Sequence, residues 1–444
     1  MGVRLVDLLC VSSYPAILER LSDYFGPLDI QAVFVKSVEE FLSSLNEKEC
    51  RVKVSIFSFN NGDDFNGLKK QVEILRTRDP RTQFMVLFDD GCGDGILNSV
   101  KELEFSHCFS FSELEQRASR LSYSVVQALR GRKGPIRLSE LPPIENANCD
   151  LFYFLPLNRK FIPIVGEGGS LTPQKLDKLR DVKEIFVDLN DSAKFAKTAQ
   201  NYPEPEVGLI RAAFLEVQNL HCQLVHRLTD QMMRCDPAEL ADLIERATKL
   251  VQDLVAKLSH RPDVWDMMSF SSRGFVCVLD RAPVTAVLAA HLGRQRGLEH
   301  LEDLIKGALF MDIGMLRVSQ STLLQLHQEG YQKLSKQKIA EYELHPQWSI
   351  DICSQNGVEL SENVQRIIRE THQKVGTGRD ISPAESVAKI EVPLESRLLN
   401  VAQAIDQAVL EGIDIHQARK VFESQLSAGE TISENFLARG WGRL

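Results

Sequence analysis

Paired cysteines are missing from this sequence, and so are long apolar runs. The 444 residues include 9 cysteines, an odd number, and no two of them are spaced as Cys-x-x-Cys. This argues against a disulfide framework or a zinc knuckle and predicts reduced thiols in a cytoplasmic protein. No apolar run approaches the roughly 20 residues that a membrane-spanning helix needs, so no membrane span is expected.

An excess of basic charge is missing as well. The chain carries 52 Lys and Arg residues against 61 Asp and Glu residues, which gives a net charge of -9. A general nucleic-acid binder would show a basic excess, so no nucleic-acid partner is expected. What is present, 43% hydrophobic and 25% charged residues, is typical of a soluble globular chain of roughly two to four domains.

The first 131 residues alternate short apolar stretches with amphipathic ones. Strands are predicted at 5–12, 31–37, 52–59, 84–90 and 106–112, and helices at 16–25, 38–45, 67–78, 95–104 and 113–131. Alternation of this kind, with continuously apolar strands, predicts a parallel sheet covered on both faces. We therefore expect an α/β unit of the flavodoxin-like type.

Five such units resemble the receiver domain of bacterial two-component signalling. The resemblance implies an acidic pair after the first strand, where this chain has Ser12 and Ser13. It implies a phosphoacceptor Asp at the end of the third strand, where Ser58 stands, and a Lys after the fifth, where there is none. A Mg²⁺ site needs carboxylate oxygens. We interpret residues 1–131 as a pseudo-receiver that serves dimerisation or docking.

The rest of the chain divides into three predicted segments. Residues 132–149, rich in Pro, Gly and polar residues, are predicted to be a linker. Residues 150–200 are predicted to form a small β-β-α-β module, with Thr172 capping its helix. Residues 201–444 show helical periodicity and are predicted to form an all-α domain.

Five motifs within about 270–410 carry a second resemblance. They are Arg281 to Ala289, Met311-Asp312-Ile313-Gly314-Met315, Tyr342-Glu343-Leu344-His345-Pro346, the stretch 368–379, and Arg397 to Asp406. In this order and spacing they resemble the HD-GYP domain, a metal-dependent phosphodiesterase of the HD superfamily that hydrolyses cyclic di-GMP in bacteria. Non-enzymatic HDOD domains of the same superfamily are also similar, but the Gly-x-Gly spacing at 376–378 favours HD-GYP.

The resemblance implies which positions would hold metal ions. They are Arg281, Met311, Asp312, His345, Glu370, Thr371 and Gln403. Asp312 and His345 keep the family's residue types, and Glu370 is a possible substitute ligand. Met315, where the family has Lys, would line a ligand pocket with His372 and Arg379. Since most ligands are lost, we expect no metal, no cofactor and no catalytic residue.

Arg281 in a ligand position would repel a metal ion, while Asp312 at a buried helix end needs a partner. We therefore predict that Arg281 lies within salt-bridge reach of Asp312 or Glu370. The alternative is an exposed Arg281, with Asp312 capping its own loop.

The resulting hypothesis is a non-catalytic bacterial signalling or scaffold protein that binds other signalling proteins, with a homodimer possible. Two alternatives remain. One is a sensor that binds cyclic di-GMP without hydrolysing it, and the other is a phosphodiesterase with a rearranged single-metal site.

Overall fold

The protein forms two compact units. The computed structural model describes residues 4–28, 30–45, 50–91, 103, 105–116, 118–155, 160–229, 236–261, 278–371, 393–410 and 413–428. One unit is built on Met1–Gly131 together with Leu316–Ser321, and the other on Arg132–Leu228, Cys235–Met315 and Thr322–Leu444. In the described part of the chain, no helix combines the length and the apolar character needed to cross a bilayer.

The first unit is a five-stranded parallel sheet with helices. Its strands are β1 (Arg4–Val11), β2 (Ala32–Val35), β3 (Cys50–Phe59), β4 (Gln83–Phe88) and β5 (His107–Ser110). They lie in the order β2-β1-β3-β4-β5 and all pair in parallel. This is the doubly wound order of flavodoxin-like folds. The predicted parallel sheet is confirmed.

Both faces of this sheet are buried because its strands are continuously apolar. Along β1, Leu9 and Val11 lie in one apolar core, whereas Leu8 and Cys10 lie in a second core on the opposite face. Alternate side chains of a strand point to opposite faces, so a sheet covered twice needs apolar residues at successive positions.

The helices of the first unit follow the prediction with one exception. They are α1 (Pro15–Phe25), α2 (Val38–Ser43), α3 (Phe65–Arg78), α4 (Phe111–Glu115) and α5 (Ser119–Arg130). The single helix predicted over 113–131 is wrong. Ala118 is not helical, forms an isolated bridge with Ser319, and splits the segment into α4 and α5. The helix predicted at 95–104 lies largely outside the described residues.

The prediction that residues 132–149 form a linker is wrong. It contains a strand of a four-stranded antiparallel sheet made by β6 (Lys133–Arg137), β7 (Leu151–Leu155), β8 (Lys160–Val165) and β9 (Glu184–Asp188), in the order β6-β9-β7-β8. Pro135 reads as a breaker, but β6 is an edge strand, where proline is tolerated. Gly134 lets β6 approach a helix, since a Cβ there would lie 2.3 Å from Leu215.

The helices of the second unit complete the fold. They are α6 (Pro173–Lys178), α7 (Ser192–Ala199), α8 (Pro205–Thr229), α9 (Pro237–His260), α10 (Ala282–Gln295), α11 (Glu302–Phe310), α12 (Gln320–Glu329), α13 (Lys336–Glu343), α14 (His345–Gln355), α15 (Glu362–Glu370), α16 (Leu394–Leu410) and α17 (Ile415–Ala428). The predicted cap is confirmed, since Thr172 Oγ1 accepts from Lys175 N–H. Asp236 caps α9, with Oδ1 accepting from Ala238 N–H.

Helix α8 belongs to two cores at once. Its residues Ala212 and Leu215 pack with the four-stranded sheet, whereas Phe214 and Val217 lie in the large apolar cluster of the helical part. The boundary predicted at residue 201 therefore does not separate two cores.

Helix α10 is the central helix of the second unit. Every residue from Ala282 to Gly293 is buried, and it packs against α9, α11 and α16. A helix that is buried all round must be apolar all round, as its sequence APVTAVLAAHLG nearly is. Arg281, directly before its first residue, is buried as well, whereas Arg294 and Gln295 at its other end are exposed.

Candidate functional site: a buried charged cluster

Asp312 lies between α11 and a short 3-10 turn, Ile313–Arg317, and is 3% exposed. Two residues fix this turn on α14. Ser349 Oγ donates to Met311 O at 2.9 Å and accepts from Gly314 N–H at 2.8 Å. Gly314 itself touches the backbone of α14, since a Cβ there would lie 1.9 Å from the carbonyl oxygen of His345. The Asp-Ile-Gly sequence therefore has two roles: Asp312 supplies a buried carboxylate, and Gly314 allows close packing against α14.

His345 is the residue of the predicted site that lies beside Asp312. Its Nε2 is 3.7 Å from Asp312 Oδ1, longer than a hydrogen bond. Its Nδ1 lies 2.6 Å from the carbonyl oxygen of Tyr342, so we assign the Nδ1 proton as the donor. The Tyr342 ring packs on the imidazole with centroids 4.8 Å apart. Burial, followed by the charge of Asp312, raises the pKa of Tyr342 well above its usual value.

The partner predicted for Arg281 is wrong. Its guanidinium binds neither Asp312 nor Glu370 but forms a two-pronged, buried ion pair with Asp406 of α16, with Nε 2.7 Å from Oδ2 and Nη2 on Oδ1. Burial raises the pKa of Asp406, Arg281 opposes that rise, and the negative charge of Asp312 adds to it. The effect of Asp312 on this pKa indicates that both carboxylates lie within the same electrostatic cluster.

Two positions of the predicted metal site contact each other. Gln403 Nε2 lies 3.3 Å from Met311 Sδ, and Met311 is 1% exposed. A thioether is a weak acceptor, and neither it nor a neutral carboxamide supplies the negative charge of a carboxylate ligand. These two positions have become part of the packing between α11 and α16.

The other residues of the predicted site either make different contacts, are buried in the core, or lie outside the described residues. Glu370 accepts a hydrogen bond from Ser396 Oγ at 2.6 Å. Thr371 Oγ1 donates to Ile367 O at 2.7 Å and is buried. Met315 is buried at 2% exposure. His372 and Arg379, the other predicted pocket residues, lie outside the described residues.

The cluster that results contains Arg281, Asp312, His345 and Asp406. A metal pair that hydrolyses phosphodiesters needs several His and carboxylate ligands directed at the ions. The described residues contain no group of three or more His, Cys, Asp and Glu side chains placed to hold a metal. Arg281, a fixed cation that pairs with Asp406, is unfavourable for a nearby divalent ion. The part of the site that the structure describes therefore does not fit a metal pair.

His221 positions α11, which leads into Asp312. It is 1% exposed, and its Nε2 lies 3.0 Å from the carbonyl oxygen of Leu309, to which it donates. Burial lowers its pKa to about 4, so the imidazole is neutral at pH 7. From the sequence, His221 is interpreted as an ordinary helix residue and not a ligand. Its place on the buried face of α8 and its capacity to hydrogen-bond are the signals of its positioning role.

Asp406 and Ser349 were also missed as site residues. Both carry a positional signal: Asp406 is the one carboxylate of α16 beyond its first turn, and Ser349 lies one helical turn after His345. A buried Arg requires a buried acceptor, so an acidic residue on the buried face of a neighbouring helix is the natural partner.

In the first unit, the predicted serine positions do meet. Ser58 Oγ lies 2.6 Å from Ser12 Oγ, and Ser12 Oγ also accepts from Tyr14 N–H at 3.1 Å. Ser13 is exposed. Ser12 and Ser58 therefore satisfy each other with neutral hydroxyl groups at the carboxyl ends of β1 and β3.

Asp63, in the loop after β3, is held in local contacts. It accepts from the Tyr14 hydroxyl at 2.6 Å and from Asn60 N–H at 2.7 Å. The hydrogen bond to Asp63 is the main reason that the pKa of Tyr14 is raised. Asp63 thus organises its own loop.

Comparison with known proteins gives little more. No family model and no curated protein matches the chain. A solved structure that does match is Bd1817, described as a HDG"Y"P protein from Bdellovibrio bacteriovorus. It is 15% identical, with a TM-score of 0.39, over 70% of this chain and 98% of that one. At this TM-score nothing about the chemistry of this chain follows from the likeness.

Proposed function

We propose that this protein is a non-catalytic bacterial signalling or scaffold protein that acts by binding other signalling proteins. Its helical part is a degenerate HD-GYP-like domain, and its first unit is a pseudo-receiver. The observation that carries the proposal is the buried ion pair of Arg281 with Asp406. An arginine stands where the resemblance implies the first metal ligand.

The charge balance of the cluster supports this proposal. A guanidinium stays protonated at every pH at which proteins fold. Arg281 therefore provides Asp406 with a fixed partner and places a permanent positive charge in the cluster with Asp312. A divalent ion in this cluster would have to overcome the repulsion of Arg281. Metal-assisted hydrolysis needs such an ion to generate hydroxide near neutral pH, so we expect none of this chemistry.

The first unit supports a docking role in the same way. A phospho-switch needs a carboxylate to accept the phosphoryl group and others to bind Mg²⁺. The structure has the paired hydroxyls of Ser12 and Ser58 at that place. We propose that this unit supplies a surface rather than a switch.

The test is metal content together with hydrolysis. Protein purified without chelators and exposed to Mn²⁺, Fe²⁺ and Zn²⁺ is expected to carry far less than one metal per chain and to leave cyclic di-GMP uncleaved. One bound metal per chain with measurable hydrolysis would overturn the proposal. Calorimetric titration with cyclic di-GMP, expected to give no heat, separates it from a sensor that binds without hydrolysis.

A further inference from the structure

His291 lies near the C-terminal end of α10 and is 5% exposed. Its Nε2 lies 2.8 Å from Nη2 of Arg419 on α17 and 2.9 Å from Nε2 of Gln295. Guanidinium and amide N–H groups donate, so Nε2 is assigned as the acceptor of both bonds. The imidazole must then be neutral, with its proton on Nδ1.

Helix α17 packs against α16, its neighbour in the chain. Among its side chains described, which end at residue 421, Ile415 and Ala418 lie in the large apolar cluster, while Val421 is 46% exposed. Asp414 caps the helix by accepting from the backbone of His416 and Gln417. The bond from Arg419 to His291 adds a direct polar link between α17 and α10.

The charges around His291 oppose a proton on its ring. Burial, then Arg419 of α17, then Arg294 of α10 lower its pKa to about 4. In the described residues of α9, α11 and α16, which also pack against α10 or α17, no charged group contributes to this shift. The remaining titratable or cationic groups of the described α17 side chains are His416 and Lys420, and neither contributes to it.

We propose that the contact between His291 and Arg419 is an acid-sensitive latch that holds α17 on α10. A proton on Nε2 removes the acceptor of both bonds and places an imidazolium directly against a guanidinium. Detachment of α17 relieves that repulsion and uncovers the apolar surface that Ile415 and Ala418 occupy. This device goes beyond the proposed function and does not depend on it.

The sign of the pH effect follows from linkage. In the attached state the pKa of His291 is depressed to about 4, whereas in the detached state it returns toward an ordinary value of about 6.5. The detached state therefore binds more protons between these two values. Its population is expected to rise by up to about tenfold for each unit that the pH falls below 6.5.

Hydrogen exchange of the α17 backbone amides tests the latch in the full chain. We would measure protection of residues 415–428 at pH 7, 6 and 5, corrected for the intrinsic exchange rate, in the wild type and in His291→Gln. Glutamine keeps an acceptor for Arg419 but does not titrate. Protection of α17 is expected to fall by up to about tenfold per pH unit below 6.5 in the wild type and to stay flat in the variant.

Two controls make the result decisive. His260→Gln, at an exposed histidine in α9, is expected to behave like the wild type, and the α9 amides should keep their protection throughout. A flat wild-type profile, or an equal fall in His291→Gln, overturns the latch. If His291→Gln does not fold, Arg419→Leu replaces it and must show low α17 protection already at pH 7.

Discussion

The two candidate sites have changed in different ways. In the first unit, the positions that resemble a phosphoacceptor site hold Ser12 and Ser58, two neutral hydroxyls that bond to each other. In the second, Asp312 and Asp406 are ionisable, buried and accompanied by Arg281 and His345. Neutral hydroxyls need no counter-charge, whereas the two buried carboxylates of the second site share their surroundings with the cation Arg281.

Arg281→Met should lower the unfolding free energy more than any of the other variants considered below. It leaves Asp406 buried without its cation, and removal of one partner of a buried pair costs about 3–5 kcal/mol. Urea unfolding followed by circular dichroism is the measurement. The control is Arg281→Met combined with Asp406→Leu, which removes both charges and should recover most of the loss. A single variant as stable as the wild type would show that the pair does not stabilise the fold.

Gly314→Ala should have the next largest effect. The new methyl group would overlap the carbonyl oxygen of His345, at 1.9 Å, and must push the 3-10 turn away from α14. Overpacking of this kind costs about 1–3 kcal/mol. Gly91→Ala is the matched control, because a Cβ there meets its nearest neighbour at 3.8 Å. If both variants unfold at the same urea concentration as the wild type, the close approach is not a constraint.

Ser349→Ala tests how the turn that carries Asp312 is held. It removes the acceptor for Gly314 N–H and the donor to Met311 O, both in buried surroundings. A buried polar group left without its partner costs about 1–3 kcal/mol, and we expect the lower half of that range because a water molecule can enter. Ser349→Cys, which keeps a weak donor, should lose less. An unchanged unfolding free energy for Ser349→Ala would contradict this role.

Ser58→Ala should have the smallest effect. It removes one hydroxyl from the hydrogen-bonded pair with Ser12, and a neutral hydrogen bond contributes about 0.5–1.5 kcal/mol. The double variant with Ser12→Ala should cost about one further hydrogen bond, because Ser12 Oγ also accepts from Tyr14 N–H. A loss as large as that of Arg281→Met would erase the distinction between the neutral and the charged site.

The apolar periodicity of the sequence was enough to place the parallel sheet and most helices. It failed at β6, because Gly134 and Pro135 carry loop signals, and only an edge position beside α8 makes them suitable for a strand. It failed again at Ala118, where a bridge to the distant Ser319 overrides helix propensity. Long-range contacts of this kind leave no local trace in the sequence.

The candidate site was predicted in part. The resemblance implies that Asp312 and His345 belong to one site. In the structure, His345 Nε2 lies 3.7 Å from Asp312 Oδ1. It did not identify Asp406, because a motif comparison weighs the positions that a family uses, and Asp406 lies one turn beyond the expected ligand position, Gln403. The need of Arg281 for a counter-ion was foreseeable from charge alone, but its partner depended on how α16 lies against α10.

Because α8 contributes residues to two apolar cores, it limits where this chain can be truncated. A fragment that starts at residue 201 would expose Ala212 and Leu215, which the four-stranded sheet covers. It would also lose Glu140, which holds Arg211 through two hydrogen bonds. A chain that starts at Arg132 keeps β6 and Glu140, and with them both of the cores to which α8 contributes.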